Sequence, residues 1–225
     1  AALVGDAVVG WFGVHHTEFP HLATFAGRDV VAALAVAPAF GLAAWGFVAL
    51  AEATKHQLSR RLRWAPARPL VGGTVVAPAI VALGTHRYDG LSLPLLGEAF
   101  AGRDVGLWPW VLKLVLTALT VGSGFAGGEV TPLFVVGATL GAGVGHAAGV
   151  SPPMLAAVGM MATFGSAANA TLACVVMGVE LFGWGAAVPL IVGCLVARAC
   201  SGRRSLVPST PGGTIWAGPP RSPWS

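Results

Sequence analysis

The stretch at 122–149, GSGFAGGEVTPLFVVGATLGAGVGHAAG, constrains this chain more than any other part of it. A glycine-rich break carries one carboxylate, Glu129, and a Thr-Pro pair then opens a long apolar segment. Thr131 is expected as the N-cap of a helix and Pro132 as its first residue, where the missing N–H costs nothing. Gly137, Gly141, Gly145 and Gly149 follow at intervals of four, a smooth ridge that lets a second helix approach closely. A helix that starts within a membrane turns unpaired N–H groups and a positive dipole end toward whatever precedes it. That arrangement suits an anion.

Composition decides the solvent. Hydrophobic residues make up 55% of the chain and charged residues 10%, with a mean hydropathy of +0.76. A soluble domain carries roughly 25% charge, so a bilayer is the expected medium. The net charge is only +4 and the basic residues are clustered, which argues against a nucleic-acid partner. Cys174, Cys194 and Cys200 are odd in number and without ligand spacing, so neither a disulfide framework nor a metal site is expected. The chain starts at Ala1 in the middle of an apolar pattern and reads as a piece of a longer protein.

Along the chain, residues 1–14 read as the end of an apolar helix and 15–29 as a short polar connection. Residues 30–51 are long enough to span, with Pro38 and Gly41 as expected kinks. Residues 52–69 read as a polar connection, 70–84 as a second apolar run, 85–107 as a polar stretch and 108–120 as a helix with an interfacial Trp108 and Trp110. Lys55, Arg60, Arg61, Arg63 and Arg68 crowd the 52–69 segment, which puts it on the cytoplasmic side. From residue 108 to 200 glycine and proline interrupt apolar sequence repeatedly. Broken, re-entrant helices fit this better than plain spans of ~20 residues. Irregular backbone at membrane depth is tolerated where it is buried or lines a cavity, as in transport proteins.

Two breaks stand out. In the first, Glu129 is either a functional carboxylate or a structural acceptor that bonds nearby N–H groups or pairs with Lys113. The second, at 164–171, reads FGSAANAT, and Asn169 or Thr171 is a candidate cap for the helix after it. Glu180 near the end of that helix opposes the dipole, so a structural hydrogen bond to a neighbouring loop is its expected role. His146 reads as a packed or solvated side chain, Lys113 as snorkelling or paired, and His15-His16 lacks a third metal ligand.

Gly127-Gly128-Glu129-Val130-Thr131-Pro132-Leu133-Phe134, followed by Gly137-Ala138-Thr139-Leu140-Gly141, resembles the CLC chloride channel and transporter family. It is most similar to the bacterial fluoride/proton antiporter branch, whose pattern here is GGEVTPLFxxGATLG. Leu172-Ala173-Cys174 and Met177-Gly178-Val179-Glu180-Leu181-Phe182-Gly183 extend the likeness, which covers about residues 1–202. The resemblance implies an all-α membrane protein: a CLC-type bundle of tilted and broken re-entrant helices, with this chain matching one inverted-repeat half, the C-terminal one. It implies a multi-pass protein of the cell inner or plasma membrane, a homodimer with its interface at about 181–200, and no enzyme activity. Gly128, Glu129, Val130, Thr131 and Asn169 become the anion-site candidates, Glu129 also the proton-path candidate, with no cofactor and no metal.

The chain departs from the family pattern in places. It holds no GxEGP motif, reads Ala167-Ala168-Asn169-Ala170-Thr171 where the branch has ATNTP, and has no tyrosine near Val207. Residues 203–225, rich in Pro, Gly and Ser, are expected to be a disordered tail. The expected function is fluoride/proton antiport. The alternatives are a chloride-selective CLC channel or exchanger, or a dimerising fragment that moves nothing. An intramembrane enzyme is disfavoured, since no HExxH or GxSxG motif occurs.

Overall fold

A computed structural model describes residues 11, 19–20, 22, 26–88, 90–125 and 127–202. The His15-His16 pair and the 203–225 tail lie outside the described residues. Eight α-helices are described: α1 Gly27–Arg61, α2 Ala67–Ala82, α3 Leu93–Phe100, α4 Pro109–Gly122, α5 Val130–Ala148, α6 Pro152–Ala167, α7 Thr171–Phe182 and α8 Ala187–Cys200. Short 3₁₀ turns at His86–Tyr88 and Trp184–Ala186 join some of them.

α1 is the spine. Asp29 in its first turn accepts the Ala26 N–H at 2.8 Å, and Arg60 and Arg61 complement the dipole at its end. Its 35 residues extend about 52 Å, well beyond a ~30 Å hydrocarbon layer. The expected connection at 52–69 is therefore corrected: residues 52–61 continue the helix and only 62–66 leave it. Glu52, Lys55, Gln57 and the arginines are good helix formers, so charge alone does not end a helix. The 85–107 stretch is corrected too, since it contains α3. Leu95, Leu96, Ala99 and Phe100 form a buried stripe there, and the Phe100 ring stacks on Phe182 with centroids 5.3 Å apart. An Arg87–Glu98 ion pair ties the 3₁₀ turn at 86–88 to α3.

The centre of the bundle is the antiparallel pair α5 and α6. A side-chain carbon at Gly137 would fall on the Gly159 carbonyl, one at Gly141 on that of Leu155, and one at Gly145 on Pro152. Three ridge glycines thus bring two backbones into direct contact, the close approach typical of small-residue seams in lipid. The fourth, Gly149, has another role: at φ +65° it ends α5, and the Val150 N–H closes back on the Gly145 carbonyl at 3.0 Å. α6 is buried all round, between α5, α1, α7 and α8.

The outer surface is apolar. Leu172, Val176, Trp184, Val188, Ile191 and Leu195 on α7, α8 and the turn between them are exposed, as are Val75 and Val81 on α2. Such a surface suits lipid or a partner subunit, and poorly suits water. Among the described residues, α1 and α5 are long and apolar enough to cross a membrane.

Candidate functional site

The first break leads into α5 two residues earlier than the sequence suggests. Glu129 is the N-cap, Val130 the first helical residue and Pro132 the third, and no side chain caps the helix. The expected N-cap role of Thr131 is corrected accordingly. Proline is tolerated there because the first-turn N–H groups have no intrahelical acceptor anyway. The first i→i−4 bond runs from the Leu133 N–H to the Glu129 carbonyl at 3.2 Å. The N–H groups of Val130 and Thr131 remain directed at the break, with the positive end of the helix dipole behind them.

The start of α5 is recessed. Gly137 abuts Gly159, and the Phe40 ring of α1 is the next neighbour of Gly159. Seven residues back toward Val130 is about 10 Å. That places the helix start level with Val48 of α1, which lines one cavity together with Glu129. From Val48, α1 continues to Arg61, a further ~20 Å. α5 therefore begins well short of the basic end of α1.

Glu129 is half-buried, and its carboxylate makes no hydrogen bond or ion pair among the described residues. It lines a cavity of about 420 Å³ whose other polar walls are Glu52, Lys55, Arg68 and Ser123. No hydrogen bond or ion pair joins Glu129 to Lys113. Lys113 is buried and its Nζ donates to the carbonyls of Tyr88 at 3.2 Å and Gly90 at 2.6 Å, pinning the 88–90 turn. Gly128 and Pro132 border a second cavity of about 370 Å³ on the other flank, beside Lys113 and Thr117. Val121 and Phe125 wall both cavities. Val130 is exposed and Thr131 half-buried at the tip of α5.

Asn169 is elsewhere. It sits at φ +56° between α6 and α7, and its Oδ1 accepts from Arg198 Nε at 2.9 Å. It does not cap α7, whose N-cap is Ala170 and which has no side-chain cap. α7 starts at the same end of the bundle as α5, because α6 runs antiparallel between them, and Asn169 is not among the walls of the Glu129 cavity. Gly128, Glu129, Val130 and Thr131 thus adjoin at the start of α5, and Asn169 is bound into the corner that α7 and α8 share. The Glu180 side chain is exposed and makes no hydrogen bond among the described residues, so the loop contact expected for it is not found among them. His146 is exposed, in keeping with a bland role.

Lys55 and Arg68 were not legible as site residues. They are 13 positions apart on two helices, and only their charge marked them out. Chemically, the cavity offers two carboxylates that make no bond among the described residues, Glu52 and Glu129, backbone donors at a helix tip, and two cations at its rim. It can attract a small anion and exchange a proton beside it.

Comparison with known proteins covers most of the chain. The family described as "Voltage gated chloride channel" matches residues 1–202. A "Chloride/fluoride channel protein" of Pseudomonas syringae pv. tomato (strain ATCC BAA-871 / DC3000) is 35% identical over 214 residues, 92% of this chain and 47% of the relative. An uncharacterized protein of Methanocaldococcus jannaschii is 32% identical over 133 residues, 57% of this chain and 33% of that protein. Among solved structures, a CLC-type fluoride/proton antiporter superimposes with a TM-score of 0.82 at 30% identity, covering 90% of this chain and 52% of that one. The chain spans about half the length of the Pseudomonas relative and of the solved antiporter, and about a third of the Methanocaldococcus protein.

Proposed function

The chain belongs to the voltage gated chloride channel (CLC) family of integral membrane anion channels and transporters, and from that premise we propose that it serves fluoride/proton antiport. Its residues 1–202 act as the C-terminal half of the transport unit. The observation that carries the reading is Glu129, a half-buried carboxylate without a bond at the recessed tip of α5, open to a cavity with a basic rim.

The chemistry follows from that placement. Ionised, Glu129 repels an anion at the helix tip. Protonated, it becomes an O–H donor, and fluoride is a small, strongly hydrogen-bonding acceptor. The free N–H groups of Val130 and Thr131 and the Thr131 hydroxyl supply further donors. A site that admits the anion when the carboxyl carries a proton, and releases it as the proton moves on, links the two fluxes. Outward fluoride driven by inward protons would protect the cell, at the inner or plasma membrane. The exposed apolar face of α7 and α8 supports a homodimer seated within about 181–200.

The test is ion efflux from liposomes containing this chain alone and with a complementary N-terminal half supplied. The expected result is fluoride efflux above empty vesicles with the half supplied, slowed by Glu129→Gln. No efflux in either case overturns transport for this polypeptide and leaves a dimerising fragment. Equal fluoride and chloride efflux favours the chloride-conducting alternative, to which the naming of the Pseudomonas relative lends support.

A further inference from the structure

The Glu129 cavity has a mouth with its own chemistry. Lys55 stands one turn beyond Ala51 and Glu52 on α1, and Arg68 lies in the first turn of α2. All four line the same cavity as Glu129. Arg68 is fixed in place, since its Nε donates to the Leu62 carbonyl at 3.2 Å, across the turn that joins the two helices. Its other guanidinium N–H groups and the Lys55 ammonium make no hydrogen bond among the described residues. No ion pair there joins either cation to Glu52 or Glu129.

Two cations and two carboxylates share one wall without pairing. Direct pairing would spend the cations, whereas leaving them apart keeps their N–H donors for a third party. The wider field has the same sign, since residues 52–69 hold five bases, Lys55, Arg60, Arg61, Arg63 and Arg68, against the single carboxylate Glu52. A volume of about 420 Å³ has room for roughly fourteen waters at ~30 Å³ each, so an ion there keeps its hydration shell. That distinguishes the mouth from the helix tip, where donors are fixed in the backbone.

We propose that Lys55 and Arg68 form an outer capture station for a small inorganic anion, holding it hydrated at the cavity mouth before it meets Glu129. The station rests on the transport reading for its use, but its defining property, a positive potential at the mouth, is measurable without flux.

The test places a thiol in the cavity wall of the full chain in detergent. Phe125→Cys is made with Cys200→Ser, which removes the exposed native thiol and leaves the buried Cys174 and Cys194. Val121→Cys serves as a second reporter in case the first disturbs the wall. Rates of modification by anionic, cationic and neutral methanethiosulfonates are compared at low ionic strength with those of a free thiol. A unit charge about 8 Å away in water changes local ion concentration roughly twofold in each direction. The anionic-to-cationic rate ratio is therefore expected to exceed the free-thiol ratio by at least about threefold. It should fall toward that of the free thiol in Lys55→Gln/Arg68→Gln and recover in Lys55→Arg/Arg68→Lys, with the neutral reagent's rate unchanged throughout. A ratio that the double Gln variant leaves unchanged at both reporters overturns the station, whatever the flux. A charge-dependent ratio in a protein that moves no fluoride overturns the transport reading and leaves the station standing.

Discussion

Replacing Gly141 by alanine puts a methyl group where the Leu155 carbonyl lies. The three nearest atoms are Leu155 O and C and Ala156 N, all backbone, so no side chain can rotate away and α5 and α6 must separate. An added methyl in a tight interior costs about 1–3 kcal/mol, and an immovable neighbour puts the cost near the top of that range. Against it stands a gain of about 1 kcal/mol, because alanine is the better helix former. The net loss is about 2 kcal/mol, a fall in Tm of roughly 4–8 °C for a chain of this size. Gly46, in the middle of α1, is the matched control. Nothing lies within 4 Å of a carbon added there, so only the propensity gain applies and Tm should rise by about 2–4 °C. Thermal unfolding of the detergent-solubilised variants, followed by helical circular dichroism, reads both. If Gly141→Ala melts at or above Gly46→Ala, the backbone-contact account of the seam is refuted.

Three smaller perturbations follow from the same geometry. Lys113→Met leaves the Tyr88 and Gly90 carbonyls without their charged donor and should cost about 2–3 kcal/mol, with easier proteolysis at the 88–91 turn as a second readout. Thr163→Val removes a fully buried hydroxyl that has no partner among the described residues, so stability should hold or rise by up to about 1 kcal/mol; a clear loss would mean that the hydroxyl is bonded after all. Gly149→Ala places a side chain at φ +65° and should lower stability by about 1–2 kcal/mol, while Gly149→Asn, better tolerated there, should lose less in the same melt.

Much of this molecule was determined by its sequence. A mean hydropathy of +0.76 with 10% charge settled the medium. The breaks read at 124–132 and 164–171 overlap the interruptions that the structure has at 123–129 and 168–170, and the GGEVTP and GATLG wording pointed to the family. These are local properties, written in composition and in the backbone preferences of single residues. Boundaries were less legible. The charged run from Glu52 read as a connection because polarity suggests a loop, yet helix propensity carried α1 on to Arg61. α3 went unseen because a stripe of four buried positions in eight residues is a weak signal until Phe182 is there to receive Phe100.

The tertiary structure alone decided what meets what. The glycine spacing announced a close partner for α5 but did not say that α6 supplies it, or that Gly149 is a cap and not a fourth step of the ridge. Asn169, an anion-site candidate in the sequence, accepts from Arg198, 29 residues away, and is not among the walls of the Glu129 cavity. Lys55 and Arg68 looked like loop charges and became walls of the Glu129 cavity. The reason is physical: a helix reports its own axis and faces through its periodicity, while the depth at which it begins beside another helix depends on packing between residues far apart in the chain. The sequence could identify Glu129 as a carboxylate at a helix tip; only the contact of α5 and α6 with α1 placed that tip about 20 Å short of the basic end.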